Sequence, residues 1–132
     1  PITDSVVLIE QFRPGALHSK AGPWQLELVA GMFSENEAPL DVAIREAKEE
    51  ANLEILPAQV TKVMDYLSSS GGMSECIHLY GLATEGEDIL VHVVARKTAE
   101  KLLSQGKIAN AATIIALQWL ALNLDTLQKS GK

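Results

Sequence analysis

Short runs of hydrophobic residues recur along the chain and are separated by polar segments that contain glycine or proline. Runs of strand length are typical of β-strands, and apolar residues spaced three and four apart are typical of amphipathic helices. The pattern predicts strands at residues 6–11, 24–30, 60–67, 76–83 and 89–95, and helices at residues 40–51, 98–105 and 111–127. Strands that alternate with helices favour an α/β (α+β) fold with helices on both sides of a mixed sheet.

Three residues mark the ends of these helices. Pro39 suits the first turn of a helix, where a backbone N–H is not needed. Asn52 follows the same helix and tolerates the left-handed backbone that ends many helices. Asn110 can cap the last helix through its side-chain oxygen. The sequence therefore predicts both ends of the first helix and the start of the last.

The first predicted helix carries three glutamates on one stripe, Glu46, Glu49 and Glu50. Residues three and four apart on a helix are neighbours, so these carboxylates share a face and repel one another unless a positive charge lies among them. A hard divalent cation prefers oxygen ligands, and magnesium usually also binds waters and substrate phosphates. The stripe predicts a metal platform for phosphate chemistry. The alternative is a solvated acidic face with ordinary ion pairs, such as Asp41 with Arg45.

Length and charge narrow the class of protein. The chain has 132 residues, 47% of them hydrophobic, and a net charge of −6. These values predict one globular domain over residues 1–132. The negative net charge argues against a surface that binds nucleic acid. No apolar run reaches the length of a membrane span. Cys76 is the only cysteine, which is compatible with a reducing compartment. We expect a cytoplasmic protein with neither nucleic acid nor membrane as partner.

Residues 31–53 resemble the Nudix box, in which a glycine, a glutamate and an Arg-Glu-apolar-any-Glu-Glu run stand at fixed spacing. The matching positions are Gly31, Glu37, Arg45, Glu46, Ala47, Glu49, Glu50 and Leu53. Asn52 stands where the family has glycine, and this departure removes no charged ligand. The resemblance implies a Nudix-type α/β/α sandwich with a mixed sheet.

A second polar segment narrows the resemblance to one branch of that superfamily. Residues 68–75 read S-S-S-G-G-M-S-E between two predicted strands, and the paired glycines permit unusual backbone angles. Together with E-Q-F-R at residues 10–13 and L-E-L-V-A-G at residues 26–31, this loop resembles the bacterial ADP-ribose pyrophosphatases. Ser70 replaces the proline of that branch, and the span at residues 83–88 is shorter than family members usually have.

The resemblance implies which residues hold a metal and carry out catalysis. The expected ligands are Glu46, Glu49, Glu50 and the backbone carbonyl of Ala30. Glu46 and Glu50 are thereby also catalytic, and Glu75 resembles the general base that takes a proton from the attacking water. The expected cofactor is Mg²⁺, with Mn²⁺ as the alternative ion.

The resemblance also implies binding and structural roles. Arg13, Gly72 and Met73 are expected to bind substrate, since a guanidinium can donate two hydrogen bonds to a diphosphate. Glu37 and Arg45 are expected to be structural, with Arg45 holding the glutamates through its fork of N–H groups.

The implied activity is hydrolysis of the diphosphate bond of ADP-ribose to AMP and ribose 5-phosphate. Two alternatives stay open: hydrolysis of another nucleoside diphosphate sugar, such as a GDP-sugar or a different ADP-sugar, and a non-catalytic Nudix-like module that senses ADP-ribose. The branch forms a domain-swapped homodimer whose N-terminal sheet completes the partner's adenosine site. Residues 1–132 do not show that sheet, so we expect this domain to keep the metal site and to bind adenosine poorly.

The remaining notable residues are expected in structural positions. Cys76 is expected to be a small buried hydrophobe in a strand. Trp24 and Trp119 are expected in the core. The histidines lack the mutual spacing of a zinc site.

Overall fold

The structure, a computed structural model, describes residues 4–82 and 92–130. Within them the strands are β1 (Ser5–Phe12), β2 (Trp24–Glu27), β3 (Val60–Leu67), β4 (Cys76–Leu82) and β5 (His92–Ala95), and the helices are α1 (Pro39–Ala51), α2 (Arg96–Ser104) and α3 (Ala111–Ser130). Short 3-10 turns lie at Pro14–Ala16 and Pro57–Gln59. The elements follow the predicted order and confirm the α/β class. The short span at residues 83–88 lies outside the described residues.

The described strands form two antiparallel sheets. β1 lies between β2 and β5 in one sheet, and β3 pairs with β4 in the other. In the first sheet Ile9 lies opposite Glu27, and Phe12 lies opposite Trp24. The expected mixed sheet is therefore represented, in this part of the chain, by antiparallel pairs alone.

β1 separates two hydrophobic cores, because successive side chains of a strand point to opposite faces. On one face the fully buried Leu8 belongs to a core with Ala99 of α2 and Leu117 of α3. On the other face Val7 packs against a core that contains Ala47 of α1. Helices therefore cover both faces of this sheet, as an α/β/α sandwich requires.

α1 begins at Pro39 and is ended by Asn52, as the sequence predicts. Asn52 has the left-handed angles φ 54° and ψ 34°. Its N–H donates to the carbonyl of Lys48 at 3.0 Å, and the N–H of Leu53 donates to the carbonyl of Ala47 at 3.0 Å. Leu53 is buried in the same core as Ala47, which is the hydrophobic contact that accompanies such helix ends. Asparagine thus forms the helix end for which the family uses glycine.

The other two helices show one predicted start and one corrected start. Asn110 caps α3, since its Oδ1 accepts the N–H of Thr113 at 3.1 Å. α2 begins at Arg96 rather than at residue 98, and the N–H of Arg96, which has no partner within the helix, donates to the carbonyl of Asp4 at 2.9 Å. The Arg96 guanidinium also donates to the Asp4 carboxylate at 2.6 Å. In the part of the chain that is described, no helix is both long and apolar enough to cross a membrane.

Two residues expected in the core lie at the surface. Trp24 is 61% exposed and meets the ring of Phe12 edge-on, with 5.4 Å between the centroids. Cys76 is exposed as well. Both expectations are wrong for the same reason: each residue is the first of its strand, where the neighbouring elements do not cover it. Trp119 is half-buried.

Candidate active site

The candidate site forms where the segment between β2 and α1, residues 28–38, passes the glutamates of α1. We call this segment the box loop. The strand predicted to reach residue 30 ends at Glu27, because side chains take up the backbone groups that follow. The N–H of Leu28 donates to Thr113 Oγ1 at 3.1 Å, and the N–H of Ala30 donates to Glu50 Oε2 at 3.2 Å. The chain therefore leaves the sheet at the point where it meets α1.

Glu46 lies against the backbone of Gly31. A Cβ added at Gly31 would lie 2.0 Å from both the carboxylate carbon and the Oε1 of Glu46. Gly31 is not in the left-handed region of backbone angles, so its glycine is required by space and not by conformation. The Glu46 side chain is only 13% exposed. The absence of a side chain at position 31 is what lets this carboxylate reach the box loop.

Glu50 reaches the residue before that glycine. Its Oε2 accepts the N–H of Ala30, and the residue is half-buried. Burial raises the pKa of Glu50, and the negative charges of Glu46 and Glu27 raise it further. The Ala30 N–H and the positive charge of Arg13 act in the opposite direction. Glu50 is therefore a carboxylate whose negative charge is only partly compensated by the protein.

Arg45 connects the box loop to the glutamates of α1. Its Nε donates to Glu37 Oε1 at 2.8 Å, and its Nη1 donates to Glu46 Oε1 at 2.6 Å and to Glu49 Oε2 at 3.2 Å. The bonds from Arg45, together with the N–H of Ser34, lower the pKa of Glu37 to about 2. The same carboxylates raise the pKa of Arg45 above its usual value. The structure thus places Glu37 and Arg45 in a supporting position beside the glutamates.

The donor set at this point fits a hard divalent cation. Glu46 and Glu50 lie one helical turn apart and both reach the Ala30–Gly31 peptide, so carboxylate and carbonyl oxygens can converge there. Glu49 is 57% exposed and faces Arg45, which makes it the outermost of the three. No group of three His, Cys, Asp or Glu side chains among the described residues is arranged to hold a metal. The fit therefore rests on two carboxylates and one peptide.

The structure brings a further acid, Glu27, to this site, which the spacing of residues in the sequence does not predict. Glu27 is buried, and it forms a forked ion pair with Arg13, whose Nη2 lies 2.6 Å from its Oε2. Polar and apolar residues alternate in β2, which is typical of a strand with one solvent-exposed face. Gln25 and Glu27 lie on the polar face, yet both are buried. A buried carboxylate calls for a cationic partner. The sequence feature that could have indicated this pair is Arg13, which directly follows β1.

The serine-glycine loop at residues 68–75 is exposed along its whole length. Glu75 accepts a hydrogen bond from Ser68 Oγ at 2.7 Å, and the N–H groups of Gly72 and Met73 donate to the Ser69 carbonyl at 3.0 Å and 2.9 Å. Within the described residues the one side-chain hydrogen bond of Glu75 is to Ser68, in its own loop. Neither glycine of the pair takes left-handed angles, so the unusual backbone angles expected here are absent from this loop.

The box loop is also attached to the second sheet. The ring of Phe33 meets that of His78 in β4 edge-on, with 5.5 Å between the centroids. His78 Nδ1 lies 2.7 Å from Asp65 Oδ1, and Lys62 donates to the same carboxylate at 2.9 Å. The loop that carries Ala30 and Gly31 is thus held by α1 on one side and by β4 on the other.

Comparison of the sequence with known proteins matches the chain to a family. The family described as NUDIX domain matches residues 2–129. The ADP-ribose pyrophosphatase of Haemophilus influenzae is 44% identical over 148 aligned positions, which cover 100% of this chain and 67% of the relative. The corresponding enzyme of Escherichia coli strain K12 is 45% identical, over 97% of this chain and 66% of the relative. A GDP-mannose pyrophosphatase of Cronobacter sakazakii is 33% identical, over 89% of this chain and 67% of the relative.

The chain spans about two thirds of the length of these relatives. The alignment with the Haemophilus influenzae protein is also longer than the chain, with 148 positions against 132 residues. That relative therefore has positions without a counterpart in this sequence.

Proposed function

The chain belongs to the NUDIX domain family, and we propose that it hydrolyses the diphosphate bond of ADP-ribose, producing AMP and ribose 5-phosphate. The observation that carries this proposal is the meeting of Glu46 and Glu50 at the Ala30–Gly31 peptide. Relatives named ADP-ribose pyrophosphatase are 44% and 45% identical to this chain, which supports ADP-ribose as the substrate.

The residues that would hold a divalent ion are Glu46, Glu50 and the carbonyl of Ala30, with Glu49 as an outer ligand. We propose Mg²⁺ as that ion and Mn²⁺ as the alternative, because both prefer oxygen ligands. When bound, such an ion supplies neutralisation of phosphate oxygens and polarisation of water.

The remaining steps are assigned to this chain's own groups. Arg45 orients Glu46 through the 2.6 Å hydrogen bond. Arg13 donates to an oxygen of the diphosphate, and Gly72 and Met73 contact the substrate from their loop. Glu75 takes the proton from the water that attacks phosphorus. This role requires its loop to reach the diphosphate, because Glu75 is exposed and bonded to Ser68 in the structure.

A GDP-sugar is the second candidate substrate. The support for it is the GDP-mannose pyrophosphatase that is 33% identical to this chain. A sensing module without hydrolysis is disfavoured, since Glu46, Glu49 and Glu50 are all present. We further propose a cytoplasmic homodimer with neither nucleic acid nor membrane as partner. That part rests on the resemblance and on the net charge of −6.

The test is a steady-state assay with ADP-ribose and with GDP-mannose, in Mg²⁺ and in chelator. We expect Mg²⁺-dependent turnover with a higher kcat/KM for ADP-ribose. Glu50→Gln is expected to lower kcat by about a hundredfold or more, since it removes charge from the platform. Glu54→Gln is the matched control, because Glu54 is 81% exposed and pairs with Lys48. Turnover of Glu50→Gln like that of the wild type would contradict the assignment.

The same assay tests the base. Glu75→Gln is expected to lower kcat more than it changes KM. Glu85 and Glu87, which lie outside the described residues, are the comparison, because together with Asp88 they supply the carboxylates of the next acidic segment. An effect of Glu75→Gln on KM alone, with a loss of kcat in Glu85→Gln or Glu87→Gln, would transfer the role of base to that segment.

A further inference from the structure

Glu27 is the one charged residue that is buried in the described part of the chain. A buried carboxylate is unfavourable unless it is paired and hydrogen-bonded. Glu27 is the last residue of β2, directly before the box loop. A buried carboxylate at this position therefore needs an explanation in terms of what it holds in place.

Arg13, the partner of Glu27, is hydrogen-bonded to it through only one edge of its guanidinium group. Arg13 Nε donates to both carboxylate oxygens at 2.9 Å and 3.2 Å, and Nη2 donates to Oε2 at 2.6 Å. The third nitrogen, Nη1, has no partner among the residues described. The Arg13 side chain is 48% exposed, whereas that of Glu27 is 4% exposed. The pair therefore has a buried end, at Glu27, and a solvent-exposed end at which both N–H groups of Nη1 and the second N–H of Nη2 are free to donate.

Glu27 is itself held in place from α3. Asn110 Nδ2 lies 3.5 Å from Glu27 Oε1, while Asn110 Oδ1 accepts the N–H of Thr113 at 3.1 Å. Thr113 Oγ1 in turn accepts the N–H of Leu28 at 3.1 Å. The carboxylate is thus fixed relative to both the strand end and the helix start.

The pair also lies beside the metal platform. Glu27 directly precedes the box loop, and three residues further along the chain the N–H of Ala30 donates to Glu50 Oε2 at 3.2 Å. Arg13, which is bonded to Glu27, is therefore attached at the start of the segment that meets the glutamates of α1. From there its free Nη1 can serve a diphosphate held at the platform.

We propose that Glu27 is a positioning residue for substrate binding: it clamps the Nε–Nη2 edge of Arg13, so that Nη1 is aimed at a diphosphate oxygen. This inference rests on the proposed function. Fixing the guanidinium before the substrate arrives avoids the entropic cost of ordering a long side chain on binding. A lysine at position 13 would pair with Glu27 as a point charge and leave no second donor in a fixed direction.

The experiment is a double-mutant cycle in this protein, with ADP-ribose and saturating Mg²⁺. Glu27→Gln is expected to raise KM by about tenfold while kcat changes by less than about threefold, because the lost interaction orients a binding group. Arg13→Gln is expected to raise KM at least as much. The double variant is expected to be no worse than Arg13→Gln, because the two residues act as one unit.

Two further variants separate positioning from stability. Arg13→Lys keeps the buried charge paired and is expected to raise KM with the fold intact. Asp4→Asn is the matched control: it breaks a similar fork at Arg96, with contacts of 2.6 Å and 2.9 Å, at the opposite end of β1. It is expected to leave KM unchanged. Additive effects of Arg13→Gln and Glu27→Gln on KM, or an unchanged KM in Arg13→Lys, would overturn the proposal.

A measurement without turnover keeps this inference distinct from the proposed function. The Arg13 Nε–H signal is followed by NMR in the wild type while inorganic pyrophosphate and Mg²⁺ are added. We expect a slowly exchanging signal that shifts on addition and exchanges fast in Glu27→Gln. A wild type that does not hydrolyse ADP-ribose defeats the proposed function. An Arg13 Nε–H signal that neither shifts with pyrophosphate nor exchanges faster in Glu27→Gln would contradict the positioning role.

Discussion

At the scale of single residues, the candidate site depends on the absence of one side chain. Glu46 occupies the space that a side chain at Gly31 would fill, because a Cβ added at Gly31 would lie 2.0 Å from the Oε1 of Glu46. Three other glycines do not have this constraint, since Gly15, Gly71 and Gly72 have nothing within 4 Å of an added Cβ. The same amino acid is therefore required for space at position 31 and has open space around it at these three.

Gly31→Ala is the residue-scale prediction. The new methyl group forces the Glu46 carboxylate away from the box loop, so we expect turnover to fall, while the free energy of unfolding changes by less than about 1 kcal/mol because the displaced atoms are the end of a flexible side chain. Gly15→Ala is the control and is expected to stay within about 0.5 kcal/mol of the wild type. Thermal unfolding and the Mg²⁺-dependent rate measure both effects. Wild-type activity in Gly31→Ala would mean that the position of Glu46 is not needed.

At the scale of elements, local signals predicted α1 well and β2 poorly. Pro39 and Asn52 are local signals, and the helix begins and ends where they stand. β2 ends before its predicted residue 30 because Thr113 and Glu50, distant in sequence, take the N–H groups of Leu28 and Ala30.

The site divides in the same way. The three glutamates follow from helical spacing, which is local, whereas the pairing of Arg13 with Glu27 joins residues 14 positions apart across a hairpin. Alternation in a strand identifies two faces without showing which partners cover them. Burial of the polar face of β2 therefore could not be predicted from its own residues.

The element-scale prediction concerns the ion pair that joins the box loop to α1. Arg45 lowers the pKa of Glu37 from 4.5 to about 2 in the folded protein. A carboxyl group with a lowered folded pKa stabilises the fold above its unfolded pKa, and that contribution is lost as the pH falls through the folded value. Glu37→Gln is therefore expected to be less stable than the wild type at pH 7, and the difference is expected to disappear between about pH 4.5 and 2.

Urea unfolding of the wild type and of Glu37→Gln across this pH range measures the difference. Glu35→Gln is the control, because Glu35 is exposed in the same loop and forms no ion pair within the described residues. A difference between wild type and Glu37→Gln that stays constant down to pH 2 would show that packing, and not charge, accounts for the contribution of Glu37.

At the scale of the whole molecule, the two cores share β1, and α1 belongs to only one of them. Leu8 and Val7 are consecutive residues that face different cores, so neither core can be lost without disturbing the strand that supports the other. Small domains of this kind usually unfold in one cooperative step. A ligand that binds at α1 and the box loop should then stabilise both cores at once.

Divalent-ion binding provides the test at that scale. A ligand that binds only the folded state, at roughly one hundred times its Kd, adds about 2.7 kcal/mol to the free energy of unfolding. We expect Mg²⁺ to raise the temperature of a single unfolding transition, and chelator to reverse the rise. Glu46→Gln and Glu50→Gln should abolish the rise, and Glu54→Gln should keep it. A rise of equal size in all three variants would place the ion elsewhere. A second transition that does not respond to Mg²⁺ would mean that the core between β1 and α3 unfolds independently of α1.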